Sequence, residues 1–177
     1  MKKPRIATVW LDGCSGCHMS FLDIDQRLLG LMEAVDLVYS PLVDVKEFPG
    51  DVDVTLVEGA VSTNEEVEKI KRIRERTRIL VLLGDCAVTG NVPSMRNPFG
   101  SDAILARAYQ ENVDIQPQTP TFHLPVLFDH SRPVHEVVDV DVFVPGCPPP
   151  ADAIHFVITE LLAGRMPDVN NLTRFGK

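Results

Sequence analysis

The residues with redox or metal chemistry to offer are four cysteines, Cys14, Cys17, Cys86 and Cys147, the only ones in 177 residues. Each lies in a loop marked by glycine: Asp12-Gly13-Cys14-Ser15-Gly16-Cys17, Gly84-Asp85-Cys86-Ala87 and Pro145-Gly146-Cys147-Pro148-Pro149-Pro150. Four converging thiolates can hold zinc or an iron–sulfur cluster. Structural zinc usually draws on two close cysteine pairs, whereas here only Cys14 and Cys17 are close, and Cys86 and Cys147 stand singly far along the chain. That spacing suits a bulkier inorganic core held between several loops. Glycine beside a ligand lets backbone N–H groups approach cluster sulfurs, and such hydrogen bonds tune the potential. Two structural disulfides have no oxidising compartment to support them. A rival chemistry is thiol–disulfide exchange, since Cys14 and Cys17 fall between a strand and a helix, as a redox dithiol does. It leaves Cys86 and Cys147 as coincidences.

The elements that must position these loops are short apolar runs at residues 5–11, 79–83 and 140–144, each read as a buried strand that ends at a cysteine loop. Loops at the carboxyl ends of strands in an open parallel sheet share one rim, where ligands bind. Residues 51–57 read as another buried strand closing on Glu58-Gly59-Ala60, and residues 37–42 as a strand that Pro41 marks as an edge. Between them, Ser20-Phe21-Leu22-Asp23 reads as a capping box opening a helix with Phe21, Ile24, Leu28, Leu31 and Met32 at helical spacing. Ser62-Thr63-Asn64-Glu65 caps a helix to about Arg76, whose basic run from Lys69 is a solvated face near the helix's negative end. A further helix is expected from Ser101 to about Glu111, and an amphipathic one over 151–163 ended by Gly164. The pattern predicts an α/β fold, a doubly wound parallel sheet in one domain over residues 1–177. Residues 113–138, with Pro117, Pro120, Pro125 and Pro133, are expected to be irregular and to face a partner.

Net charge is −8, from 17 basic and 25 acidic residues, which argues against a general nucleic-acid binder. Met1-Lys2-Lys3-Pro4-Arg5 runs into the first strand without an apolar signal core, and no apolar run approaches a membrane span. The expectation is a soluble cytoplasmic protein with reduced thiols.

In order along nearly the whole chain, Cys14-Ser15-Gly16-Cys17, Glu58-Gly59, Gly84-Asp85-Cys86-Ala87 and Pro145-Gly146-Cys147-Pro148-Pro149 resemble the small subunit of nickel–iron hydrogenases. Residues 134–141 look most like the cytoplasmic, bidirectional NAD-reducing type. The resemblance implies a flavodoxin-like fold carrying one 4Fe–4S cluster on Cys14, Cys17, Cys86 and Cys147. It implies a nickel–iron large subunit as one partner and a diaphorase pair, with further iron–sulfur clusters and FMN, as the exit for electrons. The twin-arginine signal and cluster-bearing C-terminal extension of membrane-bound relatives are not expected for this chain, whose four cysteines leave none for a second cluster. The related subunit of respiratory complex I shares Pro-Gly-Cys-Pro but has adjacent first ligands, whereas Cys14 and Cys17 are separated by two residues.

Other residues carry weaker expectations. Glu58 ends a strand on the cysteine rim; the resemblance suggests proton transfer near the subunit boundary, against a plain role capping the next turn. His18 reads as packing at a helix start, or as a hydrogen-bond donor to the cluster or a stand-in ligand in a damaged site, and Trp10 as core filling or as a contact with the cluster or a partner. Asp12 and Asp85 read as turn or cap residues. His123, His130, His135 and His155 have no ligand spacing. FMN on the same rim would lack a glycine- or Ser/Thr-rich phosphate loop.

Overall fold

A computed structural model describes residues 2–176. Five parallel strands form the central sheet: β1 (Arg5–Trp10), β2 (Asp36–Tyr39), β3 (Val52–Glu58), β5 (Thr77–Leu83) and β7 (Val142–Val144), laid side by side as β2-β1-β3-β5-β7. Counting these strands alone, the order is 2-1-3-4-5, that of the flavodoxin-like doubly wound sheet. The order reverses between β1 and β3, which pair in register from Ile6↔Val54 to Trp10↔Glu58. That switch point is where such sheets open a ligand crevice.

Alternation along the strands divides the core in two. Ile6, Val54, Leu56, Val81 and Leu83 face one layer of helices, with Phe21, Leu31, Ile154 and Ile158 packed on them. Ala7, Val9, Val57, Leu80 and Leu82 face the other, against Ile70 and Ile73. The strands are therefore buried on both faces, which is why they read as continuous apolar runs. The helices are α1 (Gly16–Leu22), α2 (Gln26–Ala34), α3 (Asn64–Glu75), α4 (Asp85–Thr89), α5 (Asn91–Ser94), α6 (Gly100–Ala106) and α7 (Ala151–Leu162), and α6 continues into a π-helical turn, Arg107–Glu111.

Several local expectations are corrected. The helix expected from Ser20 begins at Gly16, after Ser15 in a left-handed conformation, and breaks at Asp25, also at positive φ. Ser20 caps nothing; its hydroxyl donates to Pro149 O at 2.5 Å and is buried. The capping box of α3 is shifted by one residue, with Thr63 as cap and Glu66 as its partner. The strand expected over 140–144 forms only at Val142–Val144. Residues 113–138 are not wholly irregular. They contain β6 (Leu127–Arg132), which pairs antiparallel with β4 (Val61–Thr63) in a second, two-stranded sheet, and a 3-10 turn at Val134–Glu136. This pairing joins segments more than sixty residues apart, so nothing in the local pattern announces it. Among the described residues no helix is long and apolar enough to cross a membrane.

Candidate metal centre

All the cysteine loops lie at the carboxyl edge of the sheet: Cys14 and Cys17 after β1, Cys86 after β5 and Cys147 after β7. The first loop is pinned at the switch point by a two-residue bridge, Asp12 N to Ala60 O at 3.0 Å and Ala60 N to Asp12 O at 2.7 Å. Asp12 also accepts from the Ser62 hydroxyl, which lies 2.9 Å from Ser131 Oγ. Asp12 therefore ties the first loop to the segment after β3, instead of capping a local turn as the sequence suggested.

Three loops meet at Gly84. Its φ is +86°, and a Cβ there would overlap the Cys17 sulfur and approach Gly146 O to 3.4 Å. A Cβ on Gly16 would come within 3.2 Å of Cys14 Sγ. Both glycines therefore keep space beside sulfur. All four thiols are free; Cys14 and Cys147 are exposed, and Cys17 and Cys86 partly buried. Among the described residues no three Cys, His, Asp or Glu side chains are close enough to hold one metal ion, so zinc would require the thiols to draw inwards.

The electrostatics tie the four together. Burial, then Glu58, then Cys86, Cys14 and Cys147 push the Cys17 thiol well above the ordinary range. Burial is also the main cause that raises Cys86, partly offset by a hydrogen bond from the Val92 backbone N–H, with Cys147 and Cys14 adding to the rise. Four thiolates packed together without a compensating cation repel one another, and a cationic iron core removes that penalty as it takes up the ligands. The same shift makes the Cys17 thiol by itself a poor nucleophile. A donor to sulfur is in place: Asn91 Nδ2 lies 3.5 Å from Cys147 Sγ. Sequence reading missed it. Its only signal is the Gly90-Asn91 turn one helix after Cys86, where Gly90 has φ +84° and Asn91 +31°.

Two buried carboxylates brace the site. Glu58 accepts from His18 N at 2.8 Å, so it caps the first turn of α1 rather than the next turn of its own strand. His18 is buried with Nδ1 3.0 Å from the same oxygen, and neither ring nitrogen makes a well-aligned hydrogen bond. His18 is packed in the first turn of α1. Trp10 is not core filling: it is 36% exposed, with His18 edge-on at 5.4 Å. Asp85 is buried and accepts from Gly146 N at 2.6 Å and Gly176 N at 2.8 Å. His123 and His135 pack on Phe122 and Phe143 and join no ligand set.

Over residues 14–161 the chain matches the family described as NADH ubiquinone oxidoreductase, 20 Kd subunit. It is 44% identical over 172 residues to the NAD-reducing hydrogenase HoxS subunit delta of Cupriavidus necator, covering 94% of this chain and 82% of that one. It is 37% identical to a subunit of the F420-non-reducing hydrogenase of Methanothermobacter marburgensis, where the match spans 96% of this chain but 58% of the relative. A crystal structure of an NAD+-reducing nickel–iron hydrogenase in the H2-reduced state contains a chain of the same fold. It superposes with TM-score 0.94 at 43% identity, covering 98% of this chain and 99% of that one. The strand order, the four converging thiols and these similarities lead to one conclusion: the chain belongs to the NADH ubiquinone oxidoreductase 20 Kd subunit family, as a hydrogenase small subunit.

Proposed function

We propose that this chain is the electron-relay subunit of an NAD-reducing nickel–iron hydrogenase, holding one 4Fe–4S cluster on Cys14, Cys17, Cys86 and Cys147. The observation that carries the proposal is the convergence of four free thiols, from loops far apart in sequence, on a rim where glycines leave room beside sulfur. Bound there, the cluster supplies one-electron redox capacity. The chain's own part is to hold the thiolates at fixed separation, donate to sulfur from Asn91, and screen two of the four ligands from water. Hydrogen bonds to sulfur and exclusion of solvent are the means by which a protein sets such a potential.

The partners proposed are a nickel–iron large subunit, where dihydrogen is split, and a diaphorase module that passes electrons to NAD, all in the cytoplasm. Kinship with the subunits of NAD-reducing enzymes supports these partners. Glu58 stays in the proposal as a proton-transfer group: it is a buried carboxylate at the end of β3 on the cysteine rim, within electrostatic reach of Cys17.

The test is Cys147→Ser in the complex purified without oxygen. The expected outcome is loss or distortion of the cluster's EPR signal and loss of hydrogen-dependent NAD reduction. Hydrogen-isotope exchange at the large subunit persists if that subunit matures. Normal hydrogen-dependent NAD reduction by the Cys147→Ser complex would sink the assignment.

A further inference from the structure

The residues immediately before Cys86 and Cys147 are locked to each other. Asp85 N donates to Gly146 O at 2.9 Å, and Gly146 N donates back to Asp85 Oδ1 at 2.6 Å. Just upstream, Gly84 N donates to Val144 O at 2.8 Å, extending the β5–β7 pairing to the edge of the site. The other carboxylate oxygen, Oδ2, accepts from Gly176 N at 2.8 Å, beyond the end of the fold's last helix. A second tie from the same tail is made by Thr173, which is buried and donates from Oγ1 to Pro145 O. A Cβ on Gly146 would collide with Pro149 and sit 2.8 Å from Thr173 Oγ1, so loop and tail are in close contact.

An aspartate in the first turn of a helix ordinarily serves its own helix. Here the side chain does not cap α4; both oxygens point outward to N–H groups of other segments. A carboxylate is the group this geometry asks for, because it offers acceptors only, and an amide would turn an N–H2 against one of the two donors. Keeping an anion 4% exposed beside a cluster of thiolates is costly unless its hydrogen bonds repay it.

We propose that Asp85 is a positioning residue that fixes the separation of the Cys86 and Cys147 ligands, and that the C-terminal segment latches the Cys147 loop, through Asp85 at Gly176 and directly on Pro145 O from Thr173. The inference rests on the cluster reading above. Groups that orient metal ligands without touching the metal typically change affinity by about 10–100-fold when removed.

The experiment uses the full chain co-expressed with its partner subunits and purified anaerobically, as wild type, Asp85→Ala, Asp85→Asn and Thr173→Val. Three readouts apply: the rate of iron release to a chelator, the g-values of the reduced cluster, and hydrogen exchange of residues 169–176. Asp85→Ala loses both ties and should release iron at least about tenfold faster with altered g-values. Asp85→Asn keeps an acceptor for Gly146 N; its iron release should stay near wild type while the tail exchanges faster. Thr173→Val should give a smaller acceleration with Asp85 in place. If Asp85→Ala does not fold, the order wild type, Asp85→Asn, Thr173→Val in iron release and tail exchange decides alone. Wild-type release and g-values in Asp85→Ala, or identical release in Asp85→Asn and Asp85→Ala, would overturn the inference. A wild-type chain without iron would instead overturn the cluster assignment itself.

Discussion

At the residue scale the site depends on what is missing from Gly84 as much as on what the cysteines supply. With φ at +86° and its α-carbon against the Cys17 sulfur, this position has no room for a side chain. Gly84→Ala is expected to cost about 1–3 kcal/mol from the backbone conformation alone. The added methyl also pushes Cys17 out of the ligand set. The measurements are chemical denaturation and iron per chain, and iron content should fall far more than Gly16→Ala causes, where the nearest sulfur is 3.2 Å from the new atom. Equal iron in both variants would show that space beside Cys17 is unimportant. The importance of Gly84 was legible in the sequence as a glycine before a cysteine. The residue it protects was not, because Cys17 reaches it from α1, which follows a different strand.

At the element scale the instructive helix is α3. Glu66 accepts from Ser62 N at 2.7 Å and Thr63 N at 3.0 Å, closing the cap, yet burial is the largest influence on it and raises its pKa above the ordinary carboxylate value. A carboxyl whose folded pKa is raised binds its proton more tightly folded than unfolded. It therefore favours the fold at low pH and loses that contribution as pH rises through the folded value. Glu66→Gln keeps an acceptor and removes the charge, so its stability relative to wild type should improve from acid towards neutral pH. Thermal denaturation between pH 4 and 7 checks this; a constant difference across the range would refute it. The one-residue error in reading this cap has a physical origin. Ser62 and Thr63 have equal local claims, and the tie is broken by the contacts Ser62 makes with Asp12 and Ser131. The same holds at α6, where Ser101 N and Oγ are bound by Asp129 Oδ1 at 3.0 and 2.6 Å. The side chain that anchors that helix start lies on β6.

At the scale of the whole molecule, large apolar side chains remain in water on the segments that follow the first two cysteine loops in sequence: Met19 and Leu22 on α1, Val92 on α5, and Met95 and Phe99 beyond it. The chain carries net charge −8, so these side chains are the part of the rim suited to a tight, dry contact. If they are covered in the assembled enzyme, the separated chain should bind an apolar fluorescent dye strongly. The complex with the large subunit should bind less than the sum of its separated parts. An unchanged signal on assembly would place the interface elsewhere. The irregular segment is divided by the same criterion. Its later half is tied into the second sheet by β6, while Ile115, Phe122, Leu124 and Val126 stay exposed.

The sequence by itself determined the five strands of the central sheet, the doubly wound class and the candidate ligands, because these follow from local properties: continuous apolar runs, glycine-bracketed turns and the count of cysteines. It also carried the family, since the motifs occur in order at the ends of those strands. Only the tertiary structure decided how the loops are held. Cys86 and Cys147 become neighbours because β5 and β7 pair, and Asp85 and Gly146 exchange hydrogen bonds across that seam. The Glu58–His18 contact and the tail on Asp85 likewise join residues 40 and 91 positions apart, and the β4–β6 sheet joins segments whose separation falls between the two. No local preference encodes such partners; they arise when chain packing brings two unsatisfied groups together and burial makes leaving them unpaired costly.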